Sequence, residues 1–124
     1  MDKILQLAKD VALRSEGVGR NDNYRLSACL LSRRGRILSC RSNSRKTHPL
    51  ALKFSRYPYL HAEAHAICSA GLDHCKGGTL VVVRVQANGD LTMARPCSSC
   101  QALINYVGIK DVFYSDWDGK VRRM

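Results

Sequence analysis

Acidic residues are scarce in this chain, and between Asn23 and Ala62 there are none. Asp and Glu total 10 against 20 Lys and Arg, which leaves a formal net charge of +10. Long apolar runs are also missing. No stretch approaches the roughly 20 residues that a membrane-spanning helix needs, so membrane partners are not expected. Internal repeats, low-complexity tracts and interdomain linkers are absent as well. A chain of 124 residues has room for one hydrophobic core and too little for two, so residues 1–124 read as a single domain. At the N-terminus, Asp2, Lys3, Lys9 and Asp10 lie within an amphipathic pattern, which does not read as a secretory signal.

The acid-free stretch is rich in cations. It holds Arg25, Arg33, Arg34, Arg36, Arg41, Arg45, Lys46, Lys53 and Arg56. Such a block attracts phosphate, on nucleotides or on nucleic acid. A solvated basic face kept for solubility has the same composition. Position favours binding, because the block runs directly into the first of two short motifs.

Those motifs are HAE at His61–Glu63 and PCSSC at Pro96–Cys100. His61, Cys97 and Cys100 offer one nitrogen and two sulfurs. Three protein ligands leave the fourth tetrahedral position for water, the arrangement of a catalytic zinc and not of a closed structural one. Glu63 follows His61 by two residues, within reach of such a water. Cys97 and Cys100 are three apart and share a face if this stretch opens a helix. Thiolates at a helix N-terminus also gain from the positive end of the macrodipole. Taken alone, CxxC is as readily a redox pair, and HAE is common in Ala-rich helices. Together, in this order, they match a zinc (Zn2+) site.

The rest of the chain supplies a frame. Asp2 to Ser15 carries apolar residues at helical spacing and ends at Gly17 and Gly19. Arg25 to Ser32 and Arg36 to Arg41 read as strands around an Arg33–Arg34–Gly35 turn. Asn43 to Tyr59 reads as a polar loop, and loops of that length in small domains are commonly functional or mobile. His61 to Leu72 is the motif helix. Thr79 to Gln86 is a buried strand, Asn88–Gly89 a tight turn, and Leu91 to Ala94 a continuation of the sheet. Cys97 to Val107 is a helix, Asp111 to Ser115 a strand, and Lys120 to Arg123 a short basic tail. The order α, β, β, α, β, α, β implies an α/β fold: a mixed sheet of four to five strands with helices on both faces. Both metal-binding segments then start helices at one end of the sheet. Cys29, Cys40, Cys68 and Cys75 fall in these elements and read as free, buried thiols, which points to a reducing, cytoplasmic setting.

His-x-Glu followed by Pro-Cys-x-x-Cys resembles the signature of zinc nucleobase deaminases. More broadly the chain resembles the cytidine deaminase-like superfamily, and within it the deoxycytidylate (dCMP) deaminase branch, including small phage-encoded members. The resemblance implies a three-layer cytidine deaminase-like fold, with zinc on His61, Cys97 and Cys100 and Glu63 as the catalytic proton shuttle. It implies that Asn43 holds the substrate sugar and that the Ala62 amide faces the base carbonyl. A His at position 61, where free cytidine deaminases carry Cys, favours the nucleotide branch. Two features depart from family patterns. Little chain follows the last strand, where relatives carry more sheet and helix. Tyr57–Pro58–Tyr59–Leu60 replaces the Asp-Pro-Thr-Ala of the tRNA adenosine deaminases. The HAEAHA run also resembles the deaminase domain of riboflavin biosynthesis, which spaces its cysteines more widely.

The implied reaction is hydrolysis of a cytosine nucleotide to the uracil nucleotide with release of ammonia, in nucleotide metabolism. Arg45, Lys46 and His48 are candidate phosphate contacts, and Tyr59 a candidate stacking residue, as are Tyr57, Tyr114 and Trp117. His65, one turn beyond His61, orients a ligand or substrate or is a hydrogen-bonded core residue. His74, Cys75 and Cys68 are weak candidates for a second zinc. Two alternatives remain: a deaminase of cytosine or adenine in single-stranded DNA or RNA, and a non-catalytic deaminase-fold protein that binds nucleotide or nucleic acid. Retention of Glu63 argues against the last. The exposed helix faces suit a homo-oligomer.

Overall fold

The structure, a computed structural model, describes residues 2–15, 25–44 and 61–124. Helix α1 is Asp2–Leu13, and strands β1 (Arg25–Leu31) and β2 (Ile37–Ser42) form a hairpin. Helix α2 (Ala62–Ala70) is followed by a 3-10 turn at Leu72–His74 and by strands β3 (Thr79–Val85) and β4 (Leu91–Thr92). Helix α3 (Ser98–Val107), β5 (Asp111–Ser115) and β6 (Val121–Arg123) complete the described chain.

The sheet order is β2-β1-β3-β5-β6, with β4 also paired to β3. The β3–β5 pair is parallel and the other pairs are antiparallel, so the sheet is mixed. Strand β5 covers β3 from Thr79 to Val82, and β4 takes Arg84 and Val85 along the same edge. Ser115 closes the junction: its Oγ accepts from the Arg84 amide (3.2 Å) and donates to the Thr92 carbonyl (2.6 Å).

Alternation along the central strands sends side chains to two cores. Cys29, Val81, Val83 and Val85 meet Ala8 and Ala12 of α1 on one face. Ala28, Leu30, Leu80, Val82 and Val112 meet Ala66 and Ile67 of α2 and Leu103 and Ile104 of α3 on the other. The result is the three-layer α/β architecture expected from the order of elements. Alanines on α1 and α2 let both helices lie close against the β-branched sheet. Burying such valines and leucines contributes about 1.5–3 kcal/mol each, upper estimates for folding.

Among the described residues the sheet has six strands, beyond the four to five expected. The additional pairing comes from the C-terminal tail, which is a strand and not a loose basic segment. It pairs antiparallel with β5, and its cations have partners: Arg122 bridges Asp116 (3.2 Å) and Asp118 (2.7 Å), and Arg123 pairs with Asp111.

A second correction concerns the cysteines. Cys29 and Cys40 are not free thiols; they form a disulfide. The hairpin register sets the two residues directly opposite, with their Cα atoms 4.1 Å apart, so both side chains leave the sheet towards α1. Their membership of adjacent strands is visible in the sequence; their register is not. The argument for a reducing compartment loses the support of these two residues. Cys68, Cys75, Cys97 and Cys100 are free. Among the described residues no helix is long and apolar enough to cross a membrane.

Helices α2 and α3 both begin at one end of the sheet and finish at the other. The α3 start lies beside the C-terminal end of β5, where Ala94 donates to the Ser115 carbonyl (2.9 Å). Its other end, Gly108, accepts from the Gly77 amide (2.8 Å) near the start of β3.

Candidate metal centre and catalytic carboxyl

Two helix N-caps build the site. His61 caps α2 with extended backbone (φ −67°, ψ 155°), and Cys97 caps α3 in the same manner (φ −69°, ψ 170°). Neither cap side chain makes a capping hydrogen bond to its own helix start, and the imidazole and the thiol face each other across the gap. Pro96 sits before the α3 cap, and the turn is held by Gln101, whose Nε2 donates to the Pro96 carbonyl (2.8 Å) while its amide donates to the Cys97 carbonyl (2.8 Å). Cys100, one turn into α3, is buried and faces the same space.

His61 Nδ1 lies 3.2 Å from Cys100 Sγ and 3.7 Å from Cys97 Sγ. All three ligand atoms fall within 4.8 Å of one another. A tetrahedral zinc with bonds of about 2.0–2.3 Å separates its ligand atoms by about 3.5–3.8 Å, so the spacing fits one ion. The donor set fits as well. One imidazole and two thiolates suit zinc and leave a coordination position open. Among the described residues this is the one group placed to hold a metal.

Electrostatics polarise the trio. Cys97 is pulled down to about 3 by hydrogen bonds from Cys100 and His61, so it is a thiolate at neutral pH. The His61 imidazole is raised, chiefly by its hydrogen bond to Cys97, with burial opposing. Cys100 is driven far upwards by its hydrogen bond to the Cys97 thiolate, by burial and by the Glu63 charge. It is therefore a neutral thiol until a cation displaces its proton.

Glu63 lies in the first turn of α2 and is 4% exposed. Burial raises its carboxyl above the ordinary range, against the opposing pull of its own backbone amide, Cys100 and His61. A carboxyl raised in this way accepts a proton more readily than an ordinary carboxylate and can pass it on. Ala62, at the first position of α2, is buried, and its amide is among the helix-terminal N–H groups with no intrahelical partner.

Asn43 stands at the end of β2. Its Oδ1 accepts from the Leu26 amide (3.0 Å), and its own amide donates to the Leu26 carbonyl (3.2 Å). Among the described residues its Nδ2 is the one buried side-chain polar atom with no partner. His65 donates from Nδ1 to the Ser42 carbonyl (2.8 Å), which ties α2 to the strand end carrying Asn43. Ser39 Oγ makes a parallel link to the Ala66 carbonyl (2.8 Å).

Residues 1–116 match the family model described as the cytidine and deoxycytidylate deaminase zinc-binding region. The chain belongs to this deaminase family. No curated protein matches the chain by sequence. Family membership and the His–Cys–Cys group together make this a zinc-binding deaminase domain, whose substrates are nucleotides or nucleic acid.

The sequence-derived candidates divide accordingly. His61, Cys97 and Cys100 come together, Glu63 is in the adjoining turn, and Ala62, His65 and Asn43 are on the elements that surround them. Arg45, Lys46, His48, Tyr57 and Tyr59 lie outside the described residues. The second zinc group does not assemble: His74 Nδ1 bonds the Ala70 carbonyl (3.0 Å) and Cys75 donates to the Gly71 carbonyl (3.4 Å). Tyr114 is partly buried against the core with Arg95 over its ring at 6.0 Å, whereas Trp117 is 72% exposed in the β5–β6 turn. Sequence reasoning missed Gln101 and the Ser42 carbonyl. Gln101 is four residues past Cys97, a spacing that brings a side chain back to the helix start; a backbone acceptor such as Ser42 has no sequence signature.

Proposed function

We propose that this deaminase acts on the cytosine of a mononucleotide, in the manner of the dCMP branch and its small phage-encoded members. The observation that carries the reading is the buried Glu63 in the same helical turn as His61, beside ligand atoms spaced for one zinc. Bound there, zinc supplies Lewis-acid activation of water at neutral pH. Glu63 removes a proton from the attacking water and delivers it to ring nitrogen N3. Oxygen bonds to C4, Glu63 takes that oxygen's remaining proton and passes it to the amine, and the C4–N bond breaks as the C4 carbonyl forms. One water is consumed, and the products are ammonia and the uracil nucleotide.

In this reading the Ala62 amide faces the base carbonyl. Asn43 Nδ2, buried and unpartnered, is suited to a sugar hydroxyl, and His65 positions the strand end that carries it. Arg45, Lys46 and His48 take the phosphate and Tyr59 covers the base. The chain acts as one domain and assembles as a homo-oligomer in the cytoplasm.

The test is ammonia release by purified protein of measured zinc content, with Glu63→Ala as control. The panel is dCMP, dCTP, CMP, deoxycytidine, dAMP and a cytosine-bearing single-stranded oligonucleotide. Turnover of dCMP, lost in Glu63→Ala with zinc retained, supports the proposal. Turnover of the oligonucleotide alone replaces it with an editing reading, for which the exposed Trp117 offers a stacking surface. Full zinc with no turnover of any substrate removes the catalytic assignment.

A further inference from the structure

The end of the sheet away from His61 and the two cysteines gathers cations from three separate segments. Arg33, Arg34 and Arg36 sit in the β1–β2 turn, Lys76 in the connection from α2 to β3, and Lys110 between α3 and β5; all five are exposed. Backbone geometry locks the segments together. The Gly77 amide donates to the Gly108 carbonyl (2.8 Å) and the Lys110 amide to the Gly78 carbonyl (2.9 Å). Gly78 packs so closely on the Leu31 carbonyl that a Cβ there would collide with it. The Arg33 stem lies along Gly77 and the Lys76 stem along Gly108, with would-be Cβ contacts of 3.4 and 3.3 Å. Within the turn, Ser32 accepts at Oγ from the Arg34 and Arg36 amides (3.3 and 3.1 Å) and donates its own amide to the Arg36 carbonyl (2.7 Å).

Nothing among the described residues neutralises this cluster. None of the ion pairs among the described residues involves these five: Arg122 pairs with Asp116 and Asp118 at the β5–β6 turn, and Arg123 occupies Asp111, the acid next to Lys110. Asp73 is the one acid in the α2–β3 connection. Helix C-termini favour nearby cations, which explains Lys76 and Lys110 beside the ends of α2 and α3. It does not explain three arginines on a hairpin turn. Five exposed cations held on a fixed backbone suit a ligand that offers phosphates in series, because each phosphate neutralised releases counterions. A single phosphate needs converging, buried donors, and these side chains are exposed.

We propose that this pole is a docking surface for the sugar–phosphate backbone of nucleic acid. It lies about 15 Å from the metal centre, the length of α3 at 1.5 Å per residue. It therefore works as an anchor separate from substrate binding, and it stands whether or not the substrate is a mononucleotide.

The test is equilibrium binding of a fluorescent 30-nucleotide single strand, and of its duplex, across a salt series. The unmodified protein should bind with a steep salt dependence. Combined Arg34→Glu, Arg36→Glu and Lys110→Glu should weaken binding at least tenfold at low salt and lower the log–log slope by about 2–3. Zinc content and mononucleotide turnover should not change. Lys3→Glu, Lys9→Glu and Arg14→Glu on α1 make the same change in net charge and should alter affinity less than threefold. If the glutamate variant at the pole folds poorly, Arg34→Gln with Lys110→Gln should lower the slope by about 1–2. No binding by the unmodified protein, equal weakening by the two charge reversals, or an unchanged slope in the pole variants overturns the proposal. Binding is read without turnover, so loss of the deaminase reading leaves this result intact.

Discussion

His65 Nδ1 donates to the Ser42 carbonyl over 2.8 Å, so the helix that begins with the metal ligand also grips the strand end before Asn43. One helical turn separates His61 from His65. In the proposed reading, this bond couples substrate positioning to the metal site through a rigid element. His65→Ala should retain zinc, raise KM about tenfold and change kcat less, with a stability loss of about 0.5–1.5 kcal/mol for the broken bond. Steady-state kinetics with zinc quantification check it. A fall in kcat alone at constant KM would place His65 in the chemistry instead.

Asn43 presents a buried donor with no partner, a cost that bound substrate can offset. Asn43→Ala should lower kcat/KM about 10- to 100-fold for a nucleotide. The loss should shrink for an analogue lacking the sugar hydroxyl that Nδ2 meets. Stability should fall by about 1 kcal/mol, because Oδ1 also accepts from Leu26. Kinetics with the sugar-modified series separate the two roles.

Cys97 is exposed and held near pKa 3, while Cys100 is buried with its thiol pushed far up. In metal-free protein iodoacetamide should therefore modify Cys97 first, and still at pH 5, where ordinary thiols are almost wholly protonated. Zinc should block the reaction. Zinc uptake at pH 7 should release about one to two protons, from Cys100 and from the protonated fraction of His61, with none from Cys97. Peptide mapping and calorimetry in buffers of different ionisation enthalpy measure both. Equal labelling of the two cysteines would contradict the asymmetry.

Both motif halves were legible because their spacing encodes local geometry. A His before an Ala-rich helix and two Cys three apart each describe a helix start, and helix starts gather at a sheet end. The sheet was legible for a similar reason, since TLVVVRVQ at Thr79–Gln86 suits a strand buried on both faces. What escaped depends on register and distant pairing. Cys29 and Cys40 face each other only because the hairpin shifts register between Leu30 and Leu31. The β6 strand depends on backbone pairing of Val121–Arg123 with Phe113–Ser115, beside which Arg122 and Arg123 meet Asp111, Asp116 and Asp118.

The disulfide has its own test. In denaturant without reductant, alkylation should label the four free cysteines, and all six after reduction. Cys29→Ala with Cys40→Ala should cost about 2–3 kcal/mol, the scale for closing a loop of this size. Labelling of all six thiols without reductant, in protein purified without a reducing agent, would show the pair to be open.

In the proposed mechanism Glu63 sets catalysis against stability. Its carboxyl is buried and its folded pKa is raised, chiefly by burial, so the folded protein holds that proton to higher pH than the unfolded chain does. The associated stability is full below the unfolded pKa of about 4.3 and is lost as pH rises through the folded value. Above that window the wild type carries a buried carboxylate. Glu63→Gln removes the titration and keeps the shape. In metal-free protein the variant should be the more stable at pH 8, by about 1 kcal/mol or more, and the advantage should fade as pH drops towards 4. With zinc restored it should bind the metal and turn over nothing, because glutamine cannot carry the proton between water and base. Thermal melts of both proteins across pH, paired with ammonia release, read the two effects together. A variant less stable than wild type at pH 8 would mean that Glu63 is held by interactions strong enough to outweigh its desolvation.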